Sequence, residues 1–457
     1  MTRPAWPRAV LWLAAAVLVA GCAGSGSRSS QPAGRAAEAD LPPPARFVLH
    51  NGMRLIVQEH RAADIVAVYL FVGVGVRYEV PDQLGYAHFQ EHMLFKGTDR
   101  FGPGYVDRTV EGVGGRSNAT TSFDYTDFYL VLPTEATVAG IELLADMAFR
   151  STFVPDETAR EREVIFEEAR IEQDNPRSAI VRQLYGLVFA GHPYGRPVLG
   201  TRETMQAATQ ERLRAFNRRY YVPENMTLVV AGPVDPVAVR GMVDRSFGRV
   251  PATGYKSAPL AAPRPLTGGV RQTVERPEQQ AHLALGWQAP RSDDTNGDAV
   301  DLLTTILAGT ESSRLAQRLR DQERLVSSVT MSYSALMGGG IVSLRAELEA
   351  KDLERAERII LEEIAKIQES GPTEEERRLA VTKFEAQHAF DTETSEGLAY
   401  AYGLAETTWT LDAELRYVDR LRRVTREQIR DAARRYLSRT DFARLAFVPK
   451  PGGPTTR

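Results

Sequence analysis

The sequence predicts an α+β protein built from two homologous domains. Its 457 residues suit two domains of roughly 200 residues each. Strand-like and helix-like runs follow in a similar outline in both halves, and one set of residues occurs twice. The set is Thr209, Glu211, Arg214, Arg218, Arg219 and Tyr220, which recur as Thr425, Glu427, Arg430, Arg434, Arg435 and Tyr436. The offset is constant at 436 − 220 = 216 positions, which indicates an internal duplication.

The folded part begins with a hairpin signal, two β-rich runs around Asn51-Gly52. Runs rich in apolar and β-branched residues predict further strands, and helical periodicity predicts helices. In the first half we expect strands at 65–76, 226–231 and within 118–132, as two strands or one bent strand, and helices at 86–96, 134–149, 156–174 and 209–220. In the second half we expect strands at 281–287, 327–334, 340–348 and 443–448 and helices at 296–309, 352–369 and 425–436.

The N-terminus has the features of a secretory signal. Arg3 and Arg8 precede an apolar run at 9–20, and a Gly/Ser-rich stretch follows Cys22. Residues 19–22 resemble a bacterial lipobox, which predicts a signal peptide at 1–21 and a lipid anchor on Cys22. The alternative is a plain signal peptide or a single-span anchor. With Ala23 rather than Asp after the cysteine, we expect a lipid-anchored protein of the bacterial envelope, on the outer membrane and facing the periplasm.

Composition divides the remaining chain and limits its chemistry. We expect a flexible tether at 22–45, a first domain at 46–250, a linker at 251–270 and a second domain at 271–450. The net charge is −3 with interspersed charges, so we expect no nucleic-acid partner. Cys22 is the only cysteine, so metal ligands in the folded part must come from His, Asp or Glu.

The stretch His88-Phe89-Gln90-Glu91-His92 is the strongest chemical signal in the chain. The predicted helix at 86–96 puts His88 and His92 at i and i+4 on one face, where two imidazoles can chelate one zinc ion. Glu91 lies beside them and can take a proton from water. The order H-x-x-E-H is the inverzincin signature. The alternative is a solvated helix face that happens to carry two histidines.

A catalytic zinc site needs a third protein ligand. The predicted helix at 156–174 offers five candidates, Glu161, Glu163, Glu167, Glu168 and Glu172. Glu161 and Glu168 share a face because they lie about two helical turns apart. The apolar Val164 and Ile165 between them suggest that this face points inward. Chemistry alone does not choose among the five, and a solvated helical face remains the alternative for each.

These motifs together resemble the pitrilysin-type inverzincins, the group that includes the mitochondrial processing peptidase. The resemblance rests on residues 85–98, Asn118-Ala119, Glu161-Arg162, Glu167-Glu168 and 192–197, and on the spacing 168 − 92 = 76, which is typical of the shorter bacterial members. It implies two domains, each a mostly antiparallel sheet packed with helices, which enclose a chamber. It also implies one zinc ion per chain on His88, His92 and Glu168, Glu91 as general base, and Glu161 as a supporting catalytic carboxylate.

The resemblance further implies a peptide substrate. Asn118-Ala119 resembles the edge strand on which the family lays an extended peptide, although the residues also read as a glycosylation sequon or an ordinary turn. The enclosed chamber implies that the substrates are peptides or unfolded segments. In the family, 192–197 is a structural loop.

The second half departs from the family pattern. Arg320 matches a substrate-holding arginine, but the tyrosine seven positions later is Ser327, and Tyr333 is an uncertain substitute. We therefore expect a homologous second subunit that supplies the Arg/Tyr pair, unless family members simply vary here. Two rival functions are a non-catalytic structural subunit and a metal-dependent peptide-binding protein. Retention of His88, Glu91, His92 and Glu168 argues against the structural subunit, since such subunits typically lose the zinc motif.

Overall fold

The structure is a computed structural model that describes residues 41–450. The predicted signal peptide at 1–21, the lipid anchor on Cys22 and most of the tether lie outside these residues. Within residues 41–450, no helix is long and apolar enough to cross a membrane.

The first half of the chain forms a six-stranded sheet with the order β1-β2-β6-β3-β5-β4. Only the pair β2–β6 is parallel, and the other neighbours are antiparallel. The strands are β1 (Ala45–Val48), β2 (Arg54–Glu59), β3 (Ile65–Val72), β4 (Arg116–Thr121), β5 (Thr126–Pro133) and β6 (Met226–Gly232). The helices are α1 (Tyr86–Met93), α2 (Tyr105–Gly112), α3 (Thr137–Arg150), α4 (Pro155–Asp174), α5 (Pro176–Val188), α6 (Arg202–Gln206), α7 (Gln210–Tyr220) and α8 (Pro236–Arg245).

The second half forms a five-stranded sheet with the order β7-β11-β8-β10-β9, in which only β7–β11 is parallel. The strands are β7 (Val270–Arg276), β8 (Ala281–Ala289), β9 (Val326–Leu336), β10 (Gly339–Leu348) and β11 (Ala443–Pro449). The helices are α9 (Gly297–Ala308), α10 (Leu353–Ser370), α11 (Glu374–Asp391), α12 (Ser395–Thr408), α13 (Leu411–Glu414), α14 (Tyr417–Arg423) and α15 (Arg426–Tyr436). A π-helical segment, Ala316–Gln322, precedes β9.

The two sheets repeat one topology, which confirms the predicted α+β fold of two homologous halves. The order β2-β6-β3-β5-β4 corresponds strand by strand to β7-β11-β8-β10-β9. The first strands of the two orders start at residues 54 and 270, and 270 − 54 = 216, which is the offset that the sequence repeat gives. The domain boundaries stay a prediction, although residues 251–269 form neither helix nor strand.

Several elements differ from the sequence-based expectation for local physical reasons. The strand expected at 65–76 ends at Val72, and a 3-10 turn, Val76–Tyr78, follows. The strand β7 is mostly exposed, so it lacks the alternating apolar pattern that predicts a half-buried strand. The helix α5 was not expected because Asn175-Pro176 was read as a helix stop. The Asn175 side chain instead accepts hydrogen bonds from Arg177 N and Ser178 N and caps α5.

Two helices are exchanged between the halves. The helix α5 comes from the first half but packs on β8 and β11 of the second sheet. Its counterpart α12 comes from the second half and packs on β3 and β6 of the first sheet. The buried residues of α5 are Ala179, Ile180, Leu184 and Val188. Each sheet thus buries one face under helices of its own half and the other face under a helix of the opposite half.

The contact of α12 with the first sheet is close at Gly403. A Cβ atom at this position would overlap the ring of Phe71 on β3, and the Phe71 side chain is fully buried. Glycine therefore allows the helix to lie directly on the sheet.

We expect Gly403→Ala to lower the free energy of unfolding by about 1–3 kcal/mol, because a methyl group is forced into a packed interface. Gly241→Ala is the matched control, since Gly241 also lies within a helix but meets only the end of the Arg245 side chain, at 3.5 Å. Chemical denaturation of both variants measures the difference. Equal stability of the two variants would contradict the tight α12 contact.

Candidate metal centre

The helix α1 is fixed by apolar side chains on one face. Tyr86, Ala87, Phe89 and Met93 are fully buried, and they pack in the core of the first half. The helix also contacts β4, β5, α4 and α7. His88, Glu91 and His92 consequently project from the other face of α1.

The N-terminus of α1 is held by Glu79, a residue that no sequence pattern singles out. Its carboxylate accepts hydrogen bonds from Gly85 N and Ala87 N, both at 2.8 Å. Burial raises the pKa of Glu79 to about 8, although both N–H groups oppose the rise. Gly85 has φ 85°, and a Cβ atom there would lie 2.7 Å from Gly200 Cα. The start of the helix is therefore fixed by a carboxylate and by close backbone contact.

The structure brings His88, His92 and Glu168 together, with their donor atoms all within 4.8 Å of one another. Glu168 Oε2 lies 3.4 Å from His92 Nε2 and 3.7 Å from His88 Nε2. Ligands of a tetrahedral zinc ion lie roughly 3.4 Å apart, since each is about 2.0–2.1 Å from the metal. The spacing of the three donor atoms is therefore close to what one zinc ion would require.

The helix α4 supplies Glu168. The other glutamates proposed as ligands on this helix do not join the three donors. Glu163 and Glu167 are exposed, and Glu172 pairs with Arg182 at 3.6 Å. Ile165 is fully buried, as expected for the inward face. Val164 is 44% exposed, so the expectation that it points inward was wrong, because it lies one helical position off the buried stripe.

Glu161 orients His92 rather than joining the three donors. Its Oε2 lies 3.0 Å from His92 Nδ1, and its Oε1 lies 2.9 Å from Lys96 Nζ. A carboxylate on Nδ1 holds a proton there, which leaves Nε2, the nitrogen that faces Glu168, as the one that can bind a metal ion. Lys96 was not singled out from the sequence, although it follows His92 by four positions and so shares its side of the helix end.

The two histidines sit in different electrostatic environments. Burial and the nearby His92 lower the pKa of His88 to about 3, so His88 is neutral and offers a lone pair. Burial also lowers the pKa of His92, but hydrogen bonds to Glu161 and Glu168 outweigh it and raise this pKa to about 9. Three carboxylates converge on this point, and such a cluster favours a bound cation.

Glu91 is half-buried beside the donors and makes no hydrogen bond to them. Its Oε2 lies 4.0 Å from His88 Nε2 and has no hydrogen-bond partner in the described structure. Burial raises the pKa of Glu91 above its ordinary value. A carboxylate with an unpartnered oxygen and a raised pKa next to a candidate metal site is suited to act as a general base.

The predicted substrate strand lies next to the donor helix. The strand β4 is the outer strand of its sheet and contacts α1. Ala119 is buried against the core. Asn118 is exposed towards a cavity of about 860 Å³, which residues of both halves line.

Of the predicted substrate residues in the second half, Tyr333 lines this cavity but Arg320 and Ser327 do not. Arg320 lies in the π-helical segment, and its guanidinium contacts Glu311 and Asp321, neither of which belongs to the metal cluster. Ser327 Oγ donates a hydrogen bond to Glu347 O at 3.2 Å. Tyr333 does line the cavity, and its hydroxyl donates to Pro290 O at 2.8 Å.

Two imidazoles and one carboxylate, with a second carboxylate beside them, form the donor set of catalytic zinc sites in peptidases. Family comparisons agree with this class. Residues 54–202 match the model described as insulinase (peptidase family M16), and residues 207–384 match the M16 inactive domain. The second match begins before α7 of the first half and ends within α11 of the half that lacks the H-x-x-E-H motif.

The curated relatives are named as zinc proteases. An uncharacterized zinc protease of Bacillus subtilis is 30% identical over 331 residues, which are 72% of this chain and 80% of that protein. An uncharacterized zinc protease of Mycobacterium leprae is 33% identical over 341 residues, 73% of this chain and 76% of that protein. The chain therefore belongs to the M16 peptidase family of insulinase-like and pitrilysin-like proteins, and it has the size of the short bacterial form.

Solved structures show the same fold. A protease from Helicobacter pylori has a TM-score of 0.85 at 23% identity, with 90% of this chain and 100% of that chain covered. An M16 inactive-domain protein from Pseudomonas fluorescens has a TM-score of 0.83 at 18% identity, with 91% of this chain and 100% of that chain covered.

Proposed function

We propose that the chain is a zinc-dependent endopeptidase that hydrolyses peptides or unfolded segments, with Glu91 as the general base. The observation that carries this proposal is the convergence of His88, His92 and Glu168 beside the unpartnered Oε2 of Glu91. One zinc ion per chain is proposed, since this is the one such group found among residues 41–450. The names of the M16 relatives support the same metal and reaction class.

Each residue of the cluster has a distinct task in this proposal. His88, His92 and Glu168 would hold the ion, and Glu161 would keep His92 in the tautomer that ligates. A zinc ion at this site supplies Lewis-acid chemistry, which lowers the pKa of water and polarises a carbonyl group. Glu91 accepts the proton of the attacking water at Oε2 and delivers it to the leaving amine nitrogen.

The substrate would bind as an added strand on β4. Its backbone would pair with Asn118 and Ala119 along the free edge of the sheet, and α1 would hold the cluster beside it. An extended conformation is required for this pairing, which favours peptides and unfolded segments over folded proteins.

A homologous second subunit is part of the proposal. Two observations support it. Ser327 has no phenolic hydroxyl, and Arg320 is already paired with Glu311 and Asp321. The location is also a proposal, that the chain is lipid-anchored through Cys22 on the outer membrane and faces the periplasm. It rests on the N-terminal sequence alone.

A non-catalytic structural or peptide-binding subunit is the second candidate. The match of residues 207–384 to an inactive-domain model favours it, whereas the intact donor set of the first half argues against it.

Replacing Glu91 separates the enzyme from the binding protein. We expect Glu91→Gln to reduce peptide hydrolysis about a hundredfold or more while zinc stays bound, because the amide cannot accept the proton but is not a ligand. Peptide cleavage and elemental metal analysis of the same preparation measure the two effects. Unchanged hydrolysis in this variant would rule out the proposed mechanism.

Replacing Glu161 tests the metal site without relying on activity. We expect Glu161→Gln to weaken zinc affinity about 10–100-fold, because the amide no longer fixes the Nδ1 proton of His92. Competition with a zinc chelator gives the affinity. Glu163→Gln is the matched control, since Glu163 lies on the same helix but is exposed, and equal affinities of the two variants would contradict the assigned role.

The need for a partner can be tested on the lone chain. We expect weak cleavage by the chain starting after Cys22, and a gain of about tenfold or more when a homologous subunit with the Arg/Tyr pair is added. Ser327→Tyr should recover part of this gain without a partner, whereas the neighbouring Ser328→Tyr should not. Full activity of the wild-type chain as a monomer or homodimer would remove the reason for a second subunit.

A further inference from the structure

The outer edge of β7 is free, whereas the corresponding edge of the first sheet is covered. In the first sheet, β1 pairs antiparallel with β2 along this edge, and β7 corresponds to β2 in the second sheet. Within residues 41–450, β7 pairs with β11 on one side and with no strand on the other. The strand is 7 residues long and mostly exposed. The second sheet therefore offers a place for one more antiparallel strand.

The backbone groups of alternate β7 residues point to this free edge. Val270 N donates to Phe442 O, just before β11, at 3.0 Å. Lys450 N, just after β11, donates to Arg276 O at 2.9 Å. The even-numbered residues of β7 thus turn their backbone groups towards β11, and successive residues of a strand alternate in this direction. The groups that point outward belong to the odd-numbered residues, which are Arg271, Thr273 and Glu275.

The side chains of these three residues make the strand complementary to itself. In an antiparallel pair centred on Thr273, Arg271 of one copy lies opposite Glu275 of the other, and the two-fold axis repeats this pair. Each of the three opposed positions exchanges two backbone hydrogen bonds in this register. Opposite charges across two strands stabilise the pairing, whereas like charges oppose it. A charged edge resists strands that do not match it, but this edge matches a second copy.

Both charges are accessible at the edge. Glu275 is exposed, and no ion pair of its carboxylate is found within residues 41–450. The Arg271 side chain is 55% exposed, although its guanidinium contacts Glu357 of α10 at 2.6 Å. Glu357 also pairs with Arg444 at 2.8 Å. It therefore keeps a cationic partner when Arg271 turns towards a second copy.

We propose that the free edge of β7 is a self-association surface, on which a second copy of this chain adds its own β7 antiparallel. The two second-half sheets then join into one continuous sheet. The inference goes beyond the proposed peptidase function and does not depend on it. No residue of β7 lines the cavity, and β7 lies at the opposite end of its sheet from β9, whose Tyr333 does line it. This dimer leaves the cavity and the metal cluster open.

Charge reversal tests the surface and its register. We expect the chain starting after Cys22 to dimerise reversibly with rising concentration in sedimentation equilibrium. Arg271→Glu brings two pairs of acidic residues together across the axis, and Glu275→Arg brings two pairs of basic ones together. Each variant alone should therefore associate about tenfold or more weakly than the wild type. A wild-type chain that stays monomeric throughout the micromolar range would overturn the proposal.

Mixing the two variants separates lost pairing from lost folding. The Arg271→Glu protein carries only acidic charges at the two positions, and the Glu275→Arg protein carries only basic ones. In a mixed dimer every opposed pair is again of opposite sign, so an equimolar mixture should restore the association constant to near the wild-type value. Association that is unchanged in both single variants would place the contact elsewhere and overturn the proposal.

A single cysteine locates the axis without changing a charge. Cys22 is the only natural cysteine and is absent from this chain, so Thr273→Cys carries one thiol, with its Cα about 5.5 Å from that of its copy. We expect a short bismaleimide to link two Thr273→Cys chains readily. The control Thr382→Cys, exposed on α11, should link about tenfold or more slowly, because its copies meet only by diffusion. Equal rates would contradict pairing through β7.

Discussion

The exchange of α5 and α12 is the constraint on which the rest of the structure depends. Each helix buries the second face of a sheet that belongs to the other half, and a sheet needs cover on both faces when both are apolar. The two halves are thereby joined through their cores, and not merely through a surface contact. The cavity exists because α12 covers only part of the first sheet and leaves the β4 end open to the second half.

The chemistry of the candidate centre depends on how rigidly α1 is placed. A carboxylate at its N-terminus and the backbone contact of Gly85 with Gly200 fix its start. Four buried side chains fix its rotation. The histidines therefore meet Glu168 of a separate helix at ligand spacing, and the electrostatic cost of several buried carboxylates is offset by Lys96 and by the imidazoles. A preorganised site of this kind needs little rearrangement to bind an ion.

The part of the site that could be predicted from the sequence is the part that lies within one helix. The positions of His88, Glu91 and His92 on one helix face follow from helical spacing. The internal repeat predicts two homologous halves with their elements in the same order. The choice of Glu168 among five glutamates required the resemblance to a family, because its partners lie on another helix. Glu79 was missed because a glutamate in a loop gives no sign of which backbone N–H groups its carboxylate will meet.

The exchanged helices escaped prediction for a related reason. An amphipathic pattern states that a helix buries one face, but it does not state which sheet receives that face. The Asn175-Pro176 pair could equally end one helix or begin the next, and only the packing of α5 on β8 and β11 decides between them. Exposed β7 carried too little apolar signal to be recognised at all.

The helix exchange also orders the folding of the chain during synthesis. The helix α5 is synthesised about a hundred residues before β8 and far earlier than β11. Its apolar face therefore stays unburied until these strands have been synthesised. The first sheet likewise waits for α12, which is among the later helices of the described chain. A ribosome-bound first half would therefore expose aromatic surface at Tyr69 and Phe71, the type of surface that chaperones bind and that aggregates when it is left uncovered.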